Sequence, residues 1–390
     1  MHRTARHAKP DRQHGAALMV MLVVMIIGIA TVLVSSLSTT ALQNVRAQRT
    51  SEALAQAKEA LIGRAVADNN MPGSLPCPDT NNDGSSELFS GNDCPSYIGR
   101  LPWKTLGLPD LRDGNNEQLW YALSPAFRDD DSARPLNSNT KGTLAIYRAD
   151  GSSTLTETGY NAVAVVFSPG NPVASQTRNT VAEQNSAGNY LDIVNSRNNA
   201  SASGPFIAGT NSESFNDQLV FITTRNLMPL LEQRVAGEVK RALANYYTYS
   251  GCNCYPWADS VDQWADYDSN RGLNRGWLPN NALPVNWAGA FRPPSWFFEN
   301  QWYKLIYYSV ARDYKEPFYS CSDCDHDTLH VDGTAGVRAL FFMPGTFAGN
   351  RSPDQLSDYL EDSENKDDDD DDYVTPTSQA GDRDRLYRLP

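Results

Sequence analysis

The stretch from Gly15 to Val34 constrains what the rest of this chain can become. It follows a leader carrying Arg3, Arg6, Lys9 and Arg12, and no charged residue occurs between Gly15 and Arg46. Roughly 20 apolar residues, each rising about 1.5 Å in a helix, suffice to cross a hydrocarbon core. With the basic flank on the cytoplasmic side, everything beyond the span is exported. A cleaved secretory signal has an apolar core of only about 7–15 residues and a small-x-small cleavage site, which this stretch lacks. A plain signal anchor, carrying a periplasmic or surface binding protein, fits the hydropathy.

The helix is expected to continue to Asp68. Leu37, Leu42, Val45, Leu54, Ala57, Leu61 and Ala65 recur at helical spacing, while Gln56, Lys58, Glu59 and Arg64 fill the other faces. Counted from Ala16 it would be about 53 residues, or ~80 Å. A basic leader ending in Gly15, then an apolar helix running unbroken into an amphipathic one, resembles type IV prepilins and the pseudopilins of type II secretion. The resemblance implies cleavage by prepilin peptidase between Gly15 and Ala16 and methylation of the new terminus. It implies packing of the helix among other pilins or pseudopilins. It also implies a single-pass inner-membrane protein with a periplasmic or extracellular head, placed at the filament tip after assembly. The family usually has Phe at the first mature position and Glu at the fifth, where this chain has Ala16 and Val20. A carboxylate inside a membrane is costly and is kept for a function. Its absence resembles the minor pseudopilins of the filament tip and argues against a major pilin.

Composition narrows the classes. A net charge of −13 argues against nucleic-acid binding, which needs a basic surface to neutralise phosphates. Apolar content of 40% is enough for a packed core in a chain of 390 residues. Six cysteines behind an export signal point to an oxidising compartment and disulfides.

At Pro72 the texture changes to loop. Asp79, Asn81 and Asp83 alternate, Gly84 follows, and Glu87 stands in the ninth place. Alternate oxygen-bearing side chains with a glycine at the sixth position match the first part of an EF-hand-like calcium loop. Ser90 occupies the twelfth place, where the bidentate Glu belongs. The other reading is an Asx-rich turn that binds nothing. Cys77 and Cys94 bracket the loop and are expected to bridge it, worth roughly 3 kcal/mol on the chain-entropy model. Strands are expected at Thr143–Tyr147, Ala162–Phe167 and Asn216–Thr223, with a polar surface loop over Thr177–Ser214. A second amphipathic helix is expected from Leu227 to Tyr247.

That helix opens an internal duplication. Ala60-Leu61 corresponds to Ala242-Leu243, and Gly99-Arg100-Leu101-Pro102 to Gly276-Trp277-Leu278-Pro279. Trp120-Tyr121 corresponds to Trp302-Tyr303, and Phe167-Ser168-Pro169-Gly170 to Phe342-Met343-Pro344-Gly345. Tyr190-Leu191 corresponds to Tyr359-Leu360, and Asp217-Gln218-Leu219 to Asp384-Arg385-Leu386. The order is the same in both halves. In the second half Asp266, Asp268 and Asn270 alternate before Gly272, at the place of the first acidic loop, which makes a structural calcium ion at both loops an expectation.

The second half also carries Cys252, Cys254, Cys321 and Cys324, with His326 and His330 nearby. C-x-C with C-x-x-C suits zinc, but exported thiols oxidise, so disulfides between or within the clusters are expected. The remaining histidines, His2, His7 and His14, lie in the leader, and no nucleophile elbow, phosphate loop or dinucleotide fingerprint occurs, so no enzyme is expected. Trp257, Trp264, Trp277, Trp287, Trp296 and Trp302 crowd one segment, as core or as an exposed adhesive face. The run Asp367–Asp372 reads as a solvated acidic loop.

Together these readings predict an α+β protein. Residues 1–15 would be a leader and 16–68 a long helix whose first half is transmembrane. Residues 69–226 and 227–390 would form two tandem heads, each a helix with an antiparallel sheet. The expected role is a minor pilin or pseudopilin, its head used for priming, adhesion or substrate contact.

Overall fold

The computed structural model describes residues 14–130, 135–173, 176–194, 197–249, 251–260, 273–280, 291–316, 328–352, 355–367, 370–377 and 383–389. Helix α1 (His14–Ala67) leads to strands β1 (Ile98–Arg100), β2 (Trp120–Leu123), β3 (Ile146–Arg148) and β4 (Ala162–Ser168). Short helix α2 (Val181–Gln184) precedes β5 (Ile193–Val194), β6 (Arg197–Asn198), β7 (Phe206–Ala208) and β8 (Gln218–Thr223). Helix α3 (Thr224–Tyr249) opens the second half, followed by β9 (Arg275–Trp277), α4 (Ser295–Glu299) and β10 (Tyr307–Val310). The chain then forms β11 (Leu329–Val331), β12 (Thr334–Val337), β13 (Ala339–Met343), β14 (Asp372–Tyr373) and β15 (Arg385–Leu389).

This architecture corrects the expected fold class and location. Among the described residues no helix is long and apolar enough to cross a membrane. A span needs roughly 20 consecutive apolar residues. From Thr40 onward the helix carries Arg46, Arg49, Glu52, Lys58, Glu59 and Arg64. The transmembrane first half and the single-pass inner-membrane placement therefore do not stand. The fold is mixed α/β rather than α+β. Parallel pairs β3–β7 and β11–β14 accompany the antiparallel sheets. One hydrophobic cluster runs from Ala53 on α1 through α3 and both large sheets to Leu389, so the halves share a core.

Sequence explains the core directly. Ala53, Leu54, Ala57, Leu61 and Ala65 recur at helical spacing and are buried, and α1 packs through this face on β4, β8 and α3. Strand β4 is a continuous apolar run because both of its faces are covered. Val163, Ala164 and Val166 belong to the shared core, while Val165 and Phe167 join a smaller cluster with Trp120, Ile146, Tyr190 and Phe206.

The two four-stranded sheets have the same order, β1-β2-β4-β8 and β9-β10-β13-β15, each a meander preceded by a long helix. Their registers agree. Tyr121 lies opposite Gly99 and Val166, and Tyr308 opposite Gly276 and Phe341. Val166 then faces Val220, and Phe341 faces Tyr387. Outside each first strand an aspartate exchanges both backbone bonds, Asp79 with Arg100 (3.0 and 2.6 Å) and Asp259 with Trp277 (2.8 and 2.9 Å). Glycine is required beside them: a Cβ would sit 2.5 Å from the Asp79 carbonyl oxygen at Gly99 and 1.9 Å from that of Asp259 at Gly276. The register also corrects one sequence match. Trp302 and Tyr303 lie in a 3-10 turn before β10, and Tyr307 and Tyr308 take the places of Trp120 and Tyr121.

A polar seam fastens the halves. Asn300 Oδ1 accepts from the Leu136 amide (2.8 Å), and Asn137 Nδ2 donates to the Asn300 carbonyl (2.7 Å). Arg351 donates to Asn139 Oδ1 (2.8 Å), and Arg383 to Tyr160 Oη (2.9 Å). Glu232, buried on α3, accepts from Ser138. Burial pushes its carboxyl above the usual range, against the pull of Ser138, Arg385 and Arg351.

Candidate functional site

Helix α1 is the element least absorbed by the body. From Thr50 its inner face is buried, and Thr50 Oγ1 accepts from the Gly114 amide at 2.9 Å. Gly114 lies so close that a Cβ would come 2.2 Å from the Arg46 carbonyl oxygen. On the amino side of this collar the described side chains are exposed. Met21, Val24, Leu42 and Val45 each show 59–69% of their surface. Exposed apolar side chains such as these described ones mark a contact region. Gly15 and Ala16 lie in the first turn of α1.

The first acidic loop is folded by its own side chains. Asp79 Oδ1 accepts from the amides of Asn81 (3.1 Å) and Asn82 (2.7 Å), and Oδ2 from Gly84 (2.7 Å). Asn81 Oδ1 caps Asp83, Asp83 Oδ1 caps Ser85, and Glu87 turns back to the amide and hydroxyl of Thr80. Burial raises the Asp79 carboxyl above its ordinary value, and the amide donors oppose the shift. Chained Asx turns account for the geometry without an ion. Asp266, Asp268 and Asn270 lie outside the described residues.

Cys77 and Cys94 are bridged, with Cα atoms 5.5 Å apart, and Cys252 is bridged to Cys254. That local pair removes both thiols from a zinc set; Cys321 and Cys324 lie outside the described residues. Trp257, Trp277, Trp296 and Trp302 are buried, which makes them core rather than an adhesive face; Trp264 and Trp287 lie outside the described residues.

One carboxylate cluster joins the Asp run to a residue ahead of it. Among the described residues, Glu364, Asp370 and Asp372 form the one group of three or more acidic, His or Cys side chains whose ligand atoms fall within 4.8 Å of one another. His330 Nδ1 is 2.7 Å from Asp372 Oδ1, and Arg275 reaches the carbonyls of Asp367 and Asp370. The Asp run is thus partly drawn into β14 instead of standing free in solvent. Hard oxygens so grouped suit a divalent cation. The signal available in sequence was Glu364 just ahead of the run, with Asn365 between. The buried Asn365 amide pairs both ways with Val374 (3.0 and 2.9 Å) and closes the turn.

A slot of about 470 Å³ flanks the outer edge of β8, between Lys58 of α1 and the segment Leu155–Tyr160. Arg225 closes one end, its guanidinium 4.1 Å from the Tyr160 ring centroid and paired with Glu157 at 2.6 Å.

No family model, curated protein or solved structure matches this chain.

Proposed function

We propose that this chain is a filament-assembling structural protein of the pilin or pseudopilin kind, a minor subunit acting at or near the filament end. In this reading prepilin peptidase cuts between Gly15 and Ala16, and the exposed part of α1 packs against the corresponding helices of other subunits. The body stays outside the helical bundle, free to prime assembly, adhere or meet a secreted substrate. The observation that carries the reading is the division of α1. Its carboxyl half is sealed into the core through Ala53, Leu54, Ala57, Leu61 and Ala65, while its described amino part presents apolar side chains to solvent. A helix split in this way is anchored at one end and unfinished at the other, and helix association is the ordinary way to bury such a surface. The test is the mass of the amino-terminal peptide isolated from the producing cell. A mature chain starting at methylated Ala16 supports the reading; a chain starting at Met1 overturns it.

A further inference from the structure

The matched registers of the two large sheets allow one half to serve as a control for the other. Lys58 precedes the buried Leu61 on α1 as Lys240 precedes the buried Leu243 on α3, and Val220 occupies in the first sheet the place of Tyr387 in the second. In the second half Tyr387 stacks on Phe341, with centroids 5.0 Å apart and planes at 13°, and Lys240 Nζ lies 6.0 Å from its ring centroid. That aromatic ring fills the space between helix and edge strand and gives the ammonium a partner. In the first half Val220 is too small to do either, and the slot beside β8 is what remains. Among the described residues no carboxylate, carbonyl or ring meets the Lys58 ammonium, and burial alone holds its pKa below the ordinary lysine value.

Strand β8 ends its sheet, so its outer backbone groups have no described strand to meet. Val220 points to the α1 side of the sheet and Leu219 and Phe221 to the other, so the slot wraps the strand edge. Its volume lies within the ~300–1,000 Å³ usual for binding clefts. We propose that this slot is a strand-addition site for an extended segment of a partner protein, with an Asp or Glu of that segment pairing with Lys58. The main chain of the segment would bond the free edge of β8, and alternate apolar side chains would settle on Phe221 and Leu155. The carboxylate would supply the counter-charge that Lys58 lacks, whereas Arg225 at the slot end is already paired with Glu157.

The test uses the full chain and a display library of random linear seven-residue peptides as probe. Enriched peptides are expected to carry one Asp or Glu between β-branched residues. The best of them, synthesised and titrated by fluorescence anisotropy, should lose on the order of tenfold or more in affinity with Lys58→Ala. Val220→Tyr, which copies the second half, should close the slot and abolish binding, while Lys240→Ala leaves binding unchanged. Circular dichroism melts of each variant establish that it is folded, and Lys58→Ala, a partly exposed change, keeps the test open if Val220→Tyr does not fold. Enrichment of peptides without a carboxylate, unchanged binding to folded Val220→Tyr or Lys58→Ala, or no enrichment at all overturns the proposal. Dimerisation of the free chain that Val220→Tyr removes would overturn it too, by giving the slot to a second copy.

Discussion

Asp192 and Asp217 grip each other's backbone inside the first half. Asp217 Oδ2 accepts from the Asp192 amide (2.8 Å) and from Asn199 Nδ2 (2.9 Å), and Asp192 Oδ2 accepts from the Asn216 amide (2.7 Å). Burial first, then the neighbouring Asp192, drives the Asp217 carboxyl well above the usual range, while Arg178 pulls the other way. A carboxyl whose folded pKa exceeds its unfolded value gives stability that is complete below the unfolded pKa and is lost as pH rises through the folded one. The contribution of Asp217 to stability is therefore expected to fall as pH rises from its unfolded toward its folded pKa, read from chemical-denaturation curves. Asp217→Asn should flatten that slope and raise stability at mildly alkaline pH. A steeper slope in the variant would refute the assignment. Asp79 matters instead as an acceptor that three amides need. Asp79→Ala should cost roughly 2–3 kcal/mol in urea unfolding, because those donors lose their partner inside a half-closed loop.

At the scale of elements, two glycine substitutions should move stability in opposite directions. Gly237, inside α3, has nothing within 4 Å of an added Cβ, so Gly237→Ala should stabilise by about 0.5–1 kcal/mol. Gly276 has φ of +151° and the Asp259 carbonyl oxygen at 1.9 Å from its would-be Cβ, so Gly276→Ala should cost several-fold more and unpair the edge of β9. Replacing both Cys77 and Cys94 with Ser should cost roughly 3 kcal/mol. Much of this layer was legible in sequence, because periodicity marks elements that bury a face. The helix expected at 227–247 runs Thr224–Tyr249, and the strand expected at 162–167 runs Ala162–Ser168. The polar stretch 177–214 was not legible, because side chains replace the usual apolar signal there. The Asn199 amide bonds both backbone groups of Ile207, at 3.1 and 2.8 Å, and a Thr180–Glu183 capping box opens α2. The acidic trio needs a turn that sequence does not announce. The slot beside β8 needs the size difference between Val220 and Tyr387, whose equivalence appears only once the registers are known.

The two halves share one large core, and their unfolding should show it. Leu61 and Leu243 are fully buried in the same cluster although they come from different halves. A thermal scan is expected to give a single transition, and Leu61→Ala or Leu243→Ala should shift all of it, each at a cost of about 2–5 kcal/mol. Two separated transitions, each sensitive to only one of these changes, would contradict the shared core.

The collar at Thr50 and Gly114 also decides how the molecule bears load. Traction on the free end of α1 enters the body at Thr50 and runs parallel to the packed face of the helix. Ala53, Leu54, Ala57 and Leu61 then share the strain at once. At the far end Arg64 ties to Asp68 and Asp129, and Arg234 to the Val66 and Asp68 carbonyls. The body is thus pulled in shear, with every contact engaged together, and not peeled away one turn at a time.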